Sequence, residues 1–157
     1  MRAATPATPV GDQNEAHRDD ASAATAPGAA GAALATILVI DDDLFMLAYV
    51  RKTLQKASHR VITAPDAMLG IEFFRRHRPA LVITDIMMPD TDGIETIRIL
   101  RGLDAGTRII AMSGGGRLGF TRILAFAKQL GADETICKPF APDEVLAAVA
   151  RVLETKA

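Results

Sequence analysis

The chain has 157 residues, of which 49% are hydrophobic, and a formal net charge of −1. This length allows one ordinary core, and the balanced charge argues against direct binding to nucleic acid or to an anionic membrane surface. The single cysteine, Cys137, excludes an internal disulfide framework, and we expect it to be a small buried side chain.

Residues 1–34 differ in composition from the rest of the chain. They are rich in Ala, Thr, Pro and Gly and contain few large apolar side chains, so they cannot bury enough surface to offset the entropy of ordering. We therefore expect a disordered tail over 1–34 and one folded domain over 35–157. We also expect a cytoplasmic protein, because no apolar run reaches the roughly 20 residues that span a bilayer and the N-terminus lacks a signal-peptide pattern.

From residue 36 onward, short apolar segments alternate with segments of helical periodicity. The predicted strands are 37–40, 59–63, 81–85, 107–112 and 134–137, and the predicted helices are 44–57, 66–78, 94–100, 118–130 and 143–153. The first helix is expected to bury the apolar side chains of Leu44, Leu47, Ala48 and Leu54.

Residues with known preferences for helix ends flank these segments. Asp43 has the side chain of a helix N-cap and precedes the first predicted helix. Glycine favours the C-terminal end of a helix, so Gly102 is expected to end the third helix and Gly131 the fourth.

Five strand–helix units in series predict an α/β fold, a doubly wound five-stranded parallel sheet with helices on both faces. In such sheets, ligands bind at the carboxyl ends of the strands. Polar residues follow four of the predicted strands: Asp41 with Asp42, Asp85, Ser113 and Lys138. If the first and fourth strands flank the third, their polar residues lie about 4.8 Å from Asp85. Only a long side chain such as that of Lys138 reaches back from the fifth strand.

Four motifs resemble the receiver domain of two-component response regulators, in the right order over about residues 36–153. The motifs are Ile40-Asp41-Asp42-Asp43, Asp85-Ile86-Met87-Met88-Pro89 with Gly93, Ala111-Met112-Ser113-Gly114, and Ile136-Cys137-Lys138-Pro139-Phe140. The resemblance implies the strand order 2-1-3-4-5. It also implies that Asp85 is the phosphoacceptor and that Asp41, Asp42, Asp85 and the backbone carbonyl of Met87 bind Mg²⁺.

The chemistry of these residues is consistent with that assignment. Clustered carboxylates repel one another unless a cation lies among them, and Mg²⁺ prefers carboxylate, carbonyl and water oxygens. No combination of His and Cys suggests zinc. Ser113 and Lys138 would then contact the phosphoryl oxygens and favour the phosphorylated state.

The resemblance also implies partners. A histidine kinase or a histidine phosphotransfer protein would supply the phosphoryl group, and a downstream protein would bind the face made of the fourth helix, fifth strand and fifth helix. We expect a single-domain regulator that signals through phosphorylation-dependent binding or acts as a phosphate sink, and not a turnover enzyme. Thr135 occupies a possible switch position, where receivers often carry an aromatic residue.

Two other functions stay open at this point. In a haloacid-dehalogenase-type phosphatase, Asp41 would be the nucleophile and Asp43 the acid, but that family needs a further acidic pair after the lysine and leaves Asp85 unexplained. A receiver-like interaction module that is not phosphorylated is the other alternative. The glycine run 114–116 lacks the Gly-Lys-Ser/Thr sequence of a P-loop, and we interpret it as a mobile loop.

Overall fold

The computed structural model describes residues 34–89, 92–114 and 120–155. The predicted disordered tail, residues 1–34, lies outside the described residues except for Leu34, which is exposed. Of the predicted mobile loop, residues 114–116, Gly114 is the last residue of a strand, and residues 115 and 116 lie outside the described residues. The disorder of 1–33 and the mobility of 115 and 116 stay predictions.

Along the described residues, five strands alternate with five helices. In chain order they are β1 (Thr36–Ile40), α1 (Leu44–Lys56), β2 (Arg60–Ala64), α2 (Ala67–His77), β3 (Leu81–Asp85), α3 (Gly93–Leu103), β4 (Arg108–Gly114), α4 (Phe120–Gln129), β5 (Glu134–Lys138) and α5 (Pro142–Glu154). Of the helices in the described ranges, none combines the length and the apolar content needed to cross a bilayer.

All strand pairs are parallel and the strand order is β2-β1-β3-β4-β5, which confirms the predicted fold. Strand β3 lies in the middle of the sheet and is buried at every residue. One apolar cluster packs α1 and α5 on one face of the sheet, and a second packs α2, α3 and α4 on the other. With helices on both faces, the carboxyl ends of the strands form one exposed edge.

Aspartate residues are the N-caps of three helices. Asp43 accepts hydrogen bonds from the backbone N–H groups of Phe45 and Met46, which confirms it as the N-cap of α1. Asp66 and Asp92 do the same for α2 and α3. A cap of this kind contributes roughly 0.5–2 kcal/mol, because it satisfies donors that the helix itself leaves free.

The predicted buried side of α1 is partly wrong. Leu47 and Leu54 are buried as expected, but Leu44 is 68% exposed and Ala48 is also exposed, and Val50 takes part in the core instead. Leu44 and Ala48 are four residues apart and therefore lie on the same side of the helix, which faces away from the core. The buried side is formed by Leu47, Val50, Thr53 and Leu54.

Two other predictions are also wrong. Helix α3 continues through Gly102 to Leu103, and the space around Gly102 is open, so Gly102 does not end the helix.

Cys137 was predicted to be buried, but it is exposed. It lies on the edge strand β5, next to Ile136, which packs into the core; because successive side chains alternate in direction, Cys137 is turned away from that packing. Gly131 does end α4, with a positive φ of 111°.

His59 makes a buried contact at the amino end of β2. Its Nδ1 accepts a hydrogen bond from the backbone N–H of Ala35 at 3.3 Å, so the folded protein needs the neutral imidazole. Burial lowers the pKa of His59 below its ordinary value of 6.5. The unfolded chain therefore binds more protons than the folded protein just below the ordinary pKa, and stability decreases as the pH falls through that value.

We therefore expect the free energy of unfolding to decrease between about pH 7.5 and about pH 5.5, and the His59→Gln variant to show a smaller decrease. Urea denaturation at both pH values measures this. The His77→Gln variant is the control, because His77 is exposed. An unchanged pH dependence in His59→Gln would contradict the role given to this imidazole.

Candidate functional site

Asp85 is the last residue of β3 and is 4% exposed. One of its carboxylate oxygens, Oδ1, accepts a hydrogen bond from the backbone N–H of Met87 at 3.3 Å. The next residue, Ile86, donates its N–H to the carbonyl of Met112 on the neighbouring strand β4 at 2.9 Å. These two hydrogen bonds fix the carboxylate at the point where the chain leaves the sheet.

Asp41 and Asp42 follow β1, the strand beside β3. Asp41 is fully buried, and its Oδ1 accepts the backbone N–H of Asp43 at 2.9 Å. Asp42 is exposed. Asp41, Asp42 and Asp85 each offer a carboxylate oxygen, and these three oxygens lie within 4.8 Å of one another. The parallel pairing of β1 with β3 thus brings together the acidic residues that the sequence placed at two strand ends.

Lys138 ends β5 and reaches across β4 to this carboxylate cluster. Its Nζ lies 2.5 Å from Oδ2 of Asp41 and 3.4 Å from Oδ2 of Asp85. Gly114 is its register partner on β4, and a Cβ built on Gly114 would lie only 3.1 Å from the Lys138 side chain. Because Gly114 has no side chain, the side chain of Lys138 has room to pass over β4 to the carboxylates.

The charges of this cluster do not cancel. Three carboxylates (−3) and one ammonium (+1) leave a formal charge of −2 when all are ionised. Burial raises the pKa of Asp85 above its ordinary value; the nearby charge of Asp41 acts in the same direction, while the positive charge of Lys138 opposes the rise. Burial and charge repulsion therefore destabilise the fully ionised cluster, and a further cation would stabilise it.

Ser113 lies on β4, one residue beyond the register partner of Asp85. It is fully buried, and its Oγ has no hydrogen-bond partner among the described residues. A buried hydroxyl without a partner costs roughly 1–3 kcal/mol, and a ligand or an ordered water can supply the missing partner. Among the described residues, Thr107 has the other such hydroxyl, at the opposite edge of the sheet.

The other predicted residues take different positions. Met87 is 52% exposed and lies in the loop after β3, where it forms an isolated bridge with Asp92. Thr135 pairs with Ala111 well before the carboxyl end of β5, so it is not part of the carboxylate cluster. Asp43 also lies outside this cluster, because its side chain caps α1.

Sequence reasoning missed one anchor of the site. The hydroxyl of Tyr49, on α1, donates to the backbone carbonyl of Phe140 at 3.1 Å. This contact ties α1 to the segment that follows Lys138. The sequence gives no sign of it beyond a tyrosine in an amphipathic helix.

The comparison with known families decides what kind of domain this is. Residues 37–150 match the sequence model of the response regulator receiver domain. The chain belongs to the response regulator receiver family. The match covers the five strands, apart from Thr36, and the first nine residues of α5, and it includes every member of the carboxylate cluster and Lys138.

Individual relatives agree with this membership. The receiver domain is 36% identical to the chemotaxis protein CheY of Bacillus subtilis, over 74% of this chain and 96% of that protein. It is 29% identical to the sporulation initiation phosphotransferase F of the same organism, over 76% of this chain and 94% of that protein. Among solved structures, the receiver domain of NtrX from Brucella abortus superposes with a TM-score of 0.71 at 28% identity, over 76% and 99% of the two chains.

Gly93 packs directly against the turn that follows Asp85 in this receiver domain. A Cβ at Gly93 would lie 2.3 Å from the backbone carbonyl of Asp85 and 2.5 Å from Cα of Ile86. We expect Gly93→Ala to lower the free energy of unfolding by about 2 kcal/mol or more, because backbone atoms have to move.

Gly102→Ala is the matched control for Gly93→Ala. Gly102 lies inside the same helix with nothing within 4 Å of a Cβ, so alanine there should raise stability by roughly 0.5–1 kcal/mol. Chemical denaturation of both variants tests the difference. Equal effects of the two substitutions would contradict the close packing at Gly93.

The ion pair of Lys138 with Asp41 is largely buried, with side-chain exposures of 15% and 0%. We expect Lys138→Met to lower the free energy of unfolding by about 3 kcal/mol, because it leaves buried carboxylates without a cation. Adding Asp41→Asn to that variant should recover part of the loss, as a double-mutant cycle would show.

Lys128→Met gives the corresponding change at an exposed ion pair, with Glu134 at 3.5 Å. We expect it to cost at most about 1 kcal/mol. A Lys138→Met variant as stable as Lys128→Met would mean that Lys138 does not offset the charge of the carboxylate cluster.

Proposed function

We propose that this receiver domain accepts a phosphoryl group on Asp85 from a phosphohistidine of a histidine kinase or histidine phosphotransfer protein. The observation that carries the proposal is the joint placement, at one edge of the sheet, of three carboxylates, the Lys138 ammonium and the unpartnered Ser113 hydroxyl. Family membership supports it, since receivers are the phosphoacceptors of two-component signalling.

The donor set fits Mg²⁺. The carboxylates of Asp41, Asp42 and Asp85 and the backbone carbonyl of Met87 are hard oxygen ligands. The formal charge of −2 left after Lys138 is opposite in sign and equal in size to the charge of one divalent cation. When bound, Mg²⁺ would offset the repulsion between a carboxylate and an incoming phosphoryl group, which amounts to several kcal/mol at a few Å.

The residues of the chain have separate tasks in the transfer. A carboxylate oxygen of Asp85 forms the new bond to phosphorus as the bond from phosphorus to the histidine nitrogen breaks, and that nitrogen leaves with the electron pair. The Met87 N–H holds Oδ1 of Asp85, so Oδ2, which faces Lys138, is the oxygen directed into the site. Lys138 would then exchange part of its contact with Asp41 for a phosphoryl oxygen.

Ser113 couples the phosphoryl group to the rest of the domain. Its hydroxyl would donate to a phosphoryl oxygen and so gain the partner that it lacks, which draws the end of β4 toward Asp85. Helix α4 follows this strand end, and together with β5 and α5 it forms the proposed output face. Phe126 on α4 is 48% exposed and offers that face an apolar contact for a downstream protein.

The matches span 96% and 94% of two relatives that are named for chemotaxis and for phosphotransfer in sporulation, and 48% and 25% of two that are named as transcriptional regulators. The first two relatives support a single-domain receiver. We propose a cytoplasmic regulator that signals by phosphorylation-dependent binding or passes on or drains phosphoryl groups, with no direct binding to nucleic acid or membrane. Thr135 stays a proposed switch position.

Incubation with acetyl phosphate and Mg²⁺ tests the proposal by intact-mass spectrometry. We expect one hydroxylamine-labile phosphoryl group per chain, none in Asp85→Asn, and none when Mg²⁺ is chelated. Asp43→Asn is the matched control, because it removes a carboxylate from the same edge while asparagine still caps α1. It should be labelled as the parent chain is.

Other outcomes assign other functions. Continuous release of phosphate that depends on Asp41 and Asp43, with no need for Asp85, would identify the phosphatase alternative. A folded protein that takes up no label with any small phosphodonor or with a phosphorylated histidine kinase would identify the inert interaction module.

A further inference from the structure

Lys138 is the last residue of β5, and residues 139–141 connect it to α5. Its side chain crosses β4, and its Nζ lies 2.5 Å from Oδ2 of Asp41 and 3.4 Å from Oδ2 of Asp85. Its register partner on β4, Gly114, has no side chain to confine it. A lysine side chain is long and flexible, so the position of its ammonium depends on how firmly the backbone near residue 138 is held.

The hydroxyl of Tyr49, on α1, holds that backbone two residues after Lys138. It donates to the carbonyl of Phe140 at 3.1 Å, and among the described residues no backbone N–H donates to this carbonyl. The two aromatic rings also pack together, with centroids 6.0 Å apart. The N–H of Ala141 donates to the Glu144 carboxylate at 2.6 Å. Glu144 belongs to α5, so that bond does not fix the connection relative to α1, whereas the Tyr49 hydroxyl does.

A second route joins α1 to Lys138. The backbone N–H of Asp43, the N-cap of α1, donates to Oδ1 of Asp41 at 2.9 Å. The other oxygen of that carboxylate, Oδ2, accepts a hydrogen bond from Lys138. Tyr49 lies six residues after Asp43, about 9 Å farther along the helix axis. Helix α1 is thus linked to the ammonium of Lys138 through Asp41 and to the backbone after Lys138 through Tyr49.

We propose that Tyr49 is a positioning residue for Lys138. By holding the Phe140 carbonyl, its hydroxyl keeps the end of β5 in the place from which the ammonium reaches both carboxylates. Because the contact comes from α1, it also links that helix to Lys138: when the ammonium moves toward a phosphoryl oxygen on Asp85, the hydrogen bond of Tyr49 changes. The inference rests on the proposed function, in which Lys138 binds the phosphoryl group.

The rate at which acetyl phosphate labels Asp85 at saturating Mg²⁺ tests this role. Tyr49→Phe removes the hydroxyl and keeps the ring, and we expect it to lower the rate constant about five-fold, the factor that corresponds to one hydrogen bond of ordinary strength. In the Lys138→Met background, the same substitution should change the rate constant by less than about 1.5-fold, because there is no ammonium to position. A tyrosine with a purely structural role would slow labelling equally in both backgrounds, and this result would overturn the proposal.

Thr53→Val is the matched control for Tyr49→Phe. Thr53 also lies on α1, and its hydroxyl also donates to a backbone carbonyl, that of Tyr49 at 2.9 Å, but this bond stays within the helix. We expect Thr53→Val to be labelled at the rate of the parent chain. An equal loss of rate in Thr53→Val and Tyr49→Phe would contradict the proposal, because the effect would then belong to α1 in general.

The fluorescence of Tyr49 gives a direct readout of the link, because the chain has one tyrosine and no tryptophan. The emission of a tyrosine responds to the hydrogen bond that its hydroxyl makes. At constant Mg²⁺, acetyl phosphate should change this emission in the parent chain with the same rate constant as labelling, and should leave it unchanged in Asp85→Asn. Constant emission in a chain that becomes labelled would mean that Tyr49 is not linked to Lys138.

Unfolding separates a failure of this inference from a failure of the proposed function, because it needs no phosphoryl group. We expect Tyr49→Phe to shift the urea midpoint at least about two-fold less in Lys138→Met than in the parent chain. A parent chain that shows this coupling but takes up no label would overturn the proposed function and support the positioning role. Equal shifts in both backgrounds would overturn the positioning role, whether or not Asp85 is labelled.

Discussion

The site of this receiver domain depends on the placement of like charges in one small, largely buried space. Asp41 and Asp85 are each almost inaccessible to solvent, and Asp42 completes a set of carboxylate oxygens within 4.8 Å of one another. Burial is the main cause of the raised pKa of Asp85; the ammonium of Lys138 opposes the rise, and the charge of Asp41 adds to it. The folded chain thus holds three carboxylates in an arrangement that a divalent cation would stabilise.

The parallel sheet holds these carboxylates together despite their repulsion. Strand β3 is covered by helices on both faces and paired on both sides, so its last residue is held by the most firmly packed part of the fold. Its neighbours deliver Asp41 and Ser113 from either side. Hydrogen bonds of the Met87 and Ile86 N–H groups then fix the turn that follows Asp85. The packing of the core, far from the site, supplies the rigidity that crowding of charge requires.

Much of this architecture could be predicted from the sequence, because the physical signals are local. Each buried strand is a short apolar run that ends at a polar residue, and Asp43 and Gly131 are ordinary helix-end residues. The parallel fold follows from the repeated alternation of strands and helices, and strand order came from the family resemblance. The clustering of Asp41, Asp42 and Asp85 then follows from strand order alone.

What escaped prediction depends on contacts between distant segments. Lys138 and Asp41 are separated by 97 positions, and their ion pair depends on the gap left at Gly114. The exposure of Leu44 and Ala48 depends on which side of α1 packs on the sheet, and the apolar residues of this helix fit more than one side. The exposure of Cys137 depends on β5 being an edge strand, which composition does not reveal.

Asp42 is the member of the carboxylate cluster that solvent reaches, whereas Asp41 and Asp85 are buried. A cation that approaches from solvent therefore meets Asp42 first, and the negative charge of the cluster raises the local concentration of cations there. The rate of cation entry would then fall as the ionic strength rises, because dissolved salt screens that field.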